Sequence, residues 1–213
     1  AIFYAAVSGL EQALWDIKGK VLGVPVCELL GGRQRDELRV YANGWSEGRC
    51  DTPRDFAKRA EEVVADGFDA VKMYPLSQRD PVRNLNRHLK NREISPENYR
   101  RCIDSVRMVR EAIGNDIDLM VDVTAEGTTD VMTRIGQEIE QYNPFWYEEP
   151  LDAFDVDAYK VLKGKVNIPI AAGERLYTLR LPAHHRAPGG GYCAARPRYV
   201  WRHSRSVAYR RSC

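Results

Sequence analysis

Three acidic residues stand at matching points of three apolar segments: Asp122 in "LMVDVT", Glu148 in "FWYEEP" and Glu174 in "IAAGER". They are separated by 26 and 26 residues. One strand–helix unit of a parallel α/β fold takes about this length, so the spacing predicts one recurring point at the C-terminal ends of three successive strands, where such folds build their sites. Carboxylates converging there repel one another and raise each other's pKa unless a cation neutralises them. Hard oxygen donors without His or Cys suit Mg²⁺, which keeps positions for water or substrate. The plainer alternative is that each carboxylate pairs with a loop Arg or Lys.

The elements needed to position these residues are legible along the chain. Ser8 and Glu11 make a capping-box pattern ahead of Leu10, Leu14, Trp15 and Ile17, and Gly23 with Pro25 ends that helix. From residue 39 strand and helix patterns alternate. "RVYANGW", "DAVKMYPL", "IDLMVDV", "PFWYEEP" and "IPIAAGE" read as strands, and 53–66, 95–113, 129–141 and 153–163 as amphipathic helices. Short apolar strands separated by two-faced helices predict a parallel sheet with helices outside, either a barrel or a doubly wound sheet. The polar, basic stretch 77–93 is expected to be a loop over one end of that sheet. No Gly-rich phosphate loop follows any strand, which gives nucleotide binding little support.

Composition narrows the class. The chain has 213 residues, 44% hydrophobic and 29% charged, as expected of a soluble globular protein of one domain or slightly more. No apolar run approaches the roughly 18 residues that span a bilayer, and the first twenty residues do not read as a signal peptide. Five cysteines without CxxC or framework spacing are expected to be reduced, cytosolic thiols. The net charge of +2 conceals an asymmetry: residues 1–178 carry −6, whereas 179–213 hold eight Arg and no acid.

The segments "SGLEQALWDIKGKVLGVPVCELLGG", "VKMYPL", "VDV", "WYEEP" and "PIAAGER" together resemble the mandelate racemase/muconate lactonizing enzyme branch of the enolase superfamily. Through "VYANGW" and "GFDAVKMYP" the likeness is greatest to acid-sugar dehydratases of the galactonate type. The resemblance covers residues 1 to about 178. It implies a modified (β/α)7β barrel, here a partial TIM-type barrel of about five strands, with the separate α+β capping domain missing. The implied organisation is a helical lead-in over 1–38, the partial barrel with its metal site over 39–178, and an Arg-rich tail over 179–213.

The resemblance also implies Mg²⁺-assisted abstraction of a proton α to a carboxylate. It assigns Asp122, Glu148 and Glu174 as metal ligands, with Glu149 hydrogen-bonded rather than ligating. Such a proton is very weakly acidic, and its loss leaves a doubly charged enediolate that a divalent ion stabilises. A base on a neighbouring strand takes the proton. The family's KxK pattern reads Lys72-Met73-Tyr74 here, so Lys72 corresponds to the lysine that contacts the substrate carboxylate and Tyr74 to the base. Arg175 is expected either to meet a carboxylate in the site or to pair with a neighbouring loop. Dehydratases of this type often carry His two residues after the metal-binding Asp. Thr124 stands there, and a threonine hydroxyl is no general acid near neutral pH.

Four readings follow. The first is a cytoplasmic, Mg²⁺-dependent dehydratase of a sugar acid or other carboxylate, without nucleic-acid or membrane partners and with homo-oligomeric relatives. The second is a racemase or epimerase on the same fold, and the third an inactive gene fragment. The fourth, a basic nucleic-acid-binding arm, has only the interleaved Arg and aromatic residues of 179–213 in its favour. A shifted reading frame accounts for that tail better. Codons permitted for it, read from the second base of the Leu179 codon, give a helix, a strand ending Gln-Pro-Asp and a Gly-Gly turn, as relatives show next.

Overall fold

The computed structural model describes residues 2–76, 89–90, 93–124, 127–152 and 154–175. The expected tail and most of the expected loop over 77–93 lie outside the described residues. The chain divides into two compact units, the first comprising residues 1–39 and the second beginning at Val40. In the first, α1 (Ile2–Leu22) turns through Gly23, whose φ of 67° is a left-handed conformation that glycine adopts without strain, into α2 (Val26–Leu29). The chain folds back tightly: a Cβ on Gly19 would meet the Val24 carbonyl at 2.8 Å. Ser8 was expected to cap α1 but lies inside it, its Oγ accepting a bond from Gln12 Nε2 at 3.2 Å. The apolar residues ahead of Ser8 extend the helix by six residues, overriding the local cap signal.

The second unit contains α3 (Pro53–Ala65), β1 (Ala70–Met73), the short antiparallel pair β2 (Leu89–Lys90) and β3 (Glu93–Ile94), α4 (Pro96–Ile113), β4 (Asp118–Asp122), α5 (Thr129–Ile139), β5 (Trp146–Glu148), α6 (Val156–Lys163) and β6 (Ile170–Ala171). Each of the four helices opens on a side chain that accepts a backbone N–H: Thr52, Ser95, Thr128 and Asp155. These caps satisfy donors that a helix leaves unpaired in its first turn.

The sheet runs β1-β4-β5-β6, all parallel, so every strand is added on the same side of its predecessor. A doubly wound sheet requires the order to reverse. This one does not, and its winding is that of a barrel. The expected first strand, "RVYANGW", is reduced to a bridge: Ala42 pairs with Val71, donating to the Ala70 carbonyl and accepting from the Lys72 amide, both at 2.9 Å. Gly44, with φ 76°, turns the chain away before a longer ladder forms.

Alternation along the strands separates two faces. Val71, Met73, Leu119, Val121, Val123, Tyr147 and Ile170 join a core with Phe56, Val63, Val106, Ile135 and Leu162 of the helices. Fully burying one such aliphatic side chain stabilises the fold by about 1.5–3 kcal/mol. Lys72, Met120, Asp122, Trp146 and Glu148 lie on the opposite strand face. Arg110 of α4 is a buried polar anchor. Its guanidinium donates to the carbonyls of Gly114, Ile117, Tyr142 and Asn143 at 2.7–3.1 Å, tying the end of α4 to the turn that leads into β5.

Candidate active site

Strand register decides which candidate residues meet. Asp122 pairs with Glu148 directly across β4 and β5, and the next residue in that row is Ala171 of β6. The 26-residue spacing therefore places Asp122 and Glu148 at one level. The following unit is 23 residues long at the same level, so Glu174 lies three residues beyond it, past Gly173, instead of at the equivalent point of β6. Among the described residues no group of three or more His, Cys, Asp or Glu side chains is arranged to hold a metal ion. Equal spacing along the chain thus does not make equal level in the sheet: Glu174 stands in the turn after β6, three residues past the row of Asp122 and Glu148.

Lys72 enters from β1 one row below, level with Met120. Its side chain reaches up so that Nζ lies 2.7 Å from Glu148 Oε1 and 3.1 Å from Asp122 Oδ2. Lys72 and Asp122 are both almost wholly buried. Burial opposes the charge of Lys72, but the carboxylates of Glu148 and Asp122 outweigh it and push its pKa above the usual lysine range. Burial and the nearby Glu148 carboxylate push Asp122 up to about 7 despite Lys72. Two carboxylates sharing one ammonium leave an uncompensated negative charge. Hard oxygen donors with that deficit fit a small divalent cation, so Asp122 and Glu148 are suitable in type for Mg²⁺.

Each carboxylate is held from its other oxygen. The Thr124 amide donates to Asp122 Oδ1 at 3.0 Å, and the Trp146 indole N–H donates to Glu148 Oε2 at 2.9 Å. Thr124 adopts φ 54° to do so, a conformation that costs a β-branched residue about 1–3 kcal/mol. Glu149, with φ 44°, turns away from Glu148. Its Oε1 accepts the amides of Gly173 at 2.5 Å and Glu174 at 3.2 Å, so this carboxylate fastens the turn after β6. Burial pushes Glu149 up to about 7, with those two amides acting the other way.

Tyr74 follows β1 on the same side as Lys72, while Met73 between them is in the helix-facing core. The Lys72 ammonium sits 5.2 Å from the Tyr74 ring centroid and 5.8 Å from that of Tyr41. The Tyr74 hydroxyl donates to Asn43 Oδ1 at 3.2 Å. Arg175 donates to the Thr124 carbonyl at 2.7 Å and lies 3.8 Å from Glu174, a loop contact beside the Asp122 turn. Sequence reading did not single out Trp146, Tyr41 or Asn43. A signal existed for the first, since Trp146 stands two residues before Glu148 and so shares its face.

Residues 55–185 match the family described as enolase C-terminal domain-like, and residues 1–31 match the mandelate racemase/muconate lactonizing enzyme N-terminal domain. The chain belongs to the enolase superfamily, in its mandelate racemase/muconate lactonizing enzyme branch. The stretch expected as a helical lead-in is thus similar to part of the N-terminal domain. A D-gluconate dehydratase from Thermoproteus tenax is 38% identical over 82% of this chain and 33% of its own length. A D-gluconate/D-galactonate dehydratase from Picrophilus torridus is 37% identical over 81% of this chain and 41% of its own. The chain therefore spans between a third and two fifths of these relatives. Among solved structures, an enolase superfamily member from Salmonella Typhimurium matches with TM-score 0.73 and 36% identity, covering 83% of this chain and 47% of its own. A mandelate racemase/muconate lactonizing enzyme from a Sulfitobacter species matches with TM-score 0.70 and 31% identity, covering 83% and 44%. These matches agree with a partial β/α barrel. No described helix is long and apolar enough to cross a membrane.

Proposed function

We propose that these residues form the metal-holding end of an acid-sugar dehydratase site, which removes a proton α to the substrate carboxylate and expels a hydroxyl from the adjacent carbon. The observation that carries this reading is Lys72 between Asp122 and Glu148 at the C-terminal ends of parallel strands, in a chain whose relatives are named as D-gluconate and D-galactonate dehydratases. Asp122 and Glu148 would hold Mg²⁺, with Glu174, in the turn past β6, the third ligand that the resemblance implies; when bound, the ion would supply positive charge to the substrate carboxylate as the α-carbon loses its proton. Lys72 binds the same carboxylate through its ammonium, whose charge the surrounding acids secure. Tyr74, two residues on and held by Asn43, takes the proton-transfer position. Arg175 would meet the remainder of the substrate from the Thr124 side.

A racemase or epimerase reading has one observation in its favour. At Thr124, where a leaving-group acid is expected, a non-acidic hydroxyl sits on a backbone already committed to Asp122 and Arg175.

Incubation of the protein with Mg²⁺ and D-gluconate or D-galactonate in D2O separates these readings. Dehydration gives the 2-keto-3-deoxy acid, while epimerisation gives deuterium at C2 with inverted configuration and no water loss. Glu148→Gln should abolish either signal. Neither product nor C2 exchange, with substrate and Mg²⁺ shown to bind, would refute proton abstraction.

A further inference from the structure

Two residues other than glycine take left-handed backbone just after the strands that carry the site's carboxylates: Thr124 after β4, with φ 54°, and Glu149 after β5, with φ 44°. A β-branched residue is a poor occupant of that region, and such strain persists only where the surroundings over-determine it. Here one short turn supplies the constraint on both. Gly173 and Glu174 give their amides to Glu149 Oε1, and the next residue, Arg175, gives a guanidinium N–H to the Thr124 carbonyl at 2.7 Å. Because β5 lies between β4 and β6, Arg175 reaches across a whole strand to do so. Thr124 is thereby held through both of its peptide groups, its N–H on Asp122 Oδ1 at 3.0 Å and its carbonyl on Arg175.

The geometry points to Arg175 as a positioning residue. From the turn after β6 it locks Thr124 in the left-handed conformation that brings the Thr124 amide onto Asp122, and so sets how Asp122 presents its carboxylate to Lys72. This inference deepens the reading of this end of the sheet as a proton-abstraction site, and it needs no bound ion. The bond from the Thr124 amide alone closes only a local turn of Asp122 onto its own backbone. A threonine can leave that turn by relaxing to negative φ. The charge-assisted bond from Arg175 to the carbonyl on the other side of Thr124 opposes that rotation. A guanidinium carries several donors, so the clasp leaves others for the substrate contact proposed above.

The test is hydrogen exchange at the amide of residue 124, followed by NMR on the full chain, for the wild type, Arg175→Met, Thr124→Gly and the double variant. In Arg175→Met this exchange should be faster by about tenfold or more, the scale of one strained residue released, while amides inside β4 keep their rates. Glycine holds a positive φ without strain, so adding Arg175→Met to Thr124→Gly should change the exchange by less than about threefold. Arg175→Lys, which keeps a cationic donor, should recover part of the protection. Glu149→Ala, which frees the same turn from β5, supplies the loosened turn if Arg175→Met does not fold. Unchanged exchange in a folded Arg175→Met, or the same acceleration in the glycine background, overturns the clasp. Turnover of D-gluconate with Mg²⁺ separates positioning from contact. A positioning role makes Arg175→Met lower kcat and Thr124→Gly restore part of it. A rise in KM alone, which Thr124→Gly does not restore, makes Arg175 a substrate contact and overturns its positioning role. Should the wild type turn nothing over, the reading as a dehydratase fails, while accelerated exchange in Arg175→Met still upholds the clasp.

Discussion

Lys72 is the residue on which the site turns. Its ammonium lies within 3.1 Å of two carboxylates and beside two aromatic rings, on a strand whose other side chains are apolar. Removing one partner of a buried ion pair leaves charge uncompensated, at a cost of about 3–5 kcal/mol. Glu148 is partly exposed, so a value near the lower end, about 3 kcal/mol, is appropriate here. Lys72→Met should therefore lower the melting temperature sharply without divalent ions. Mg²⁺ should then stabilise the variant more than the wild type, because the oxygens that ammonium occupied become available to the metal. Equal stabilisation of both proteins by Mg²⁺ would show that the ion and Lys72 use different oxygens. Much of this arrangement was legible beforehand. Residues two apart on a strand share a face, which placed Lys72 with Tyr74, and the 26-residue step placed Asp122 level with Glu148. What periodicity does not encode is a strand's register at its end. The step to β6 is 23 residues, and only the strand pairing shows Glu174 lying beyond that level. The indole–carboxylate bond was likewise hidden, since a Trp in a strand reads first as packing.

Among the elements, the sequence-based helices hold within a few residues because caps mark them: Thr52, Ser95, Thr128 and Asp155 stand where the polar side chains precede the periodic runs. The strand over 39–45 fared worse. Its alternation is real, with Tyr41 beside the site and Ala42 in the core, but Gly44 stops the pairing after one bridge. Arg110 makes a sharper prediction at this scale. One buried guanidinium satisfies four carbonyls from the end of α4 to the turn before β5, so it fixes the direction from which β5 and Glu148 enter the sheet. Arg110→Met keeps the side chain's apolar length and leaves those carbonyls without their donor. Buried groups left unpaired cost about 1–3 kcal/mol each, and partial access of water to the turn limits the total to about 3 kcal/mol. Arg110→Lys should recover only part of this, because an ammonium cannot reproduce the planar fork. Urea denaturation curves of the three proteins measure the order. A lysine variant as stable as the wild type would show that charge, not fork geometry, holds the turn.

At the scale of the molecule, the sheet's winding sets a requirement. Parallel strands added always on one side close on themselves at about eight strands. The described residues supply four strands and the bridging position at Ala42, in the order that a barrel takes them. The outer edge of β6 is where the next strand of such a barrel pairs. The composition changes abruptly after residue 178, from a net −6 over the preceding residues to eight Arg without any acid over 179–213. Like charges without counter-charges oppose compaction, which is the compositional reason for expecting the next strand from another reading frame. Read one base on, the Trp201–Arg202 junction necessarily encodes glycine, and permitted codons give a helix, a Gln-Pro-Asp strand and a Gly-Gly turn. The gene is therefore expected to carry, in that frame, the strand that pairs with β6 and then further strand–helix units. Sequencing the gene checks this directly, and restoring the frame should yield a protein that melts at a higher temperature and aggregates less, since closure removes exposed strand edges. A gene in which that shifted frame is not open would make the basic segment native. Salt-dependent binding to nucleic acid would then be the property to measure.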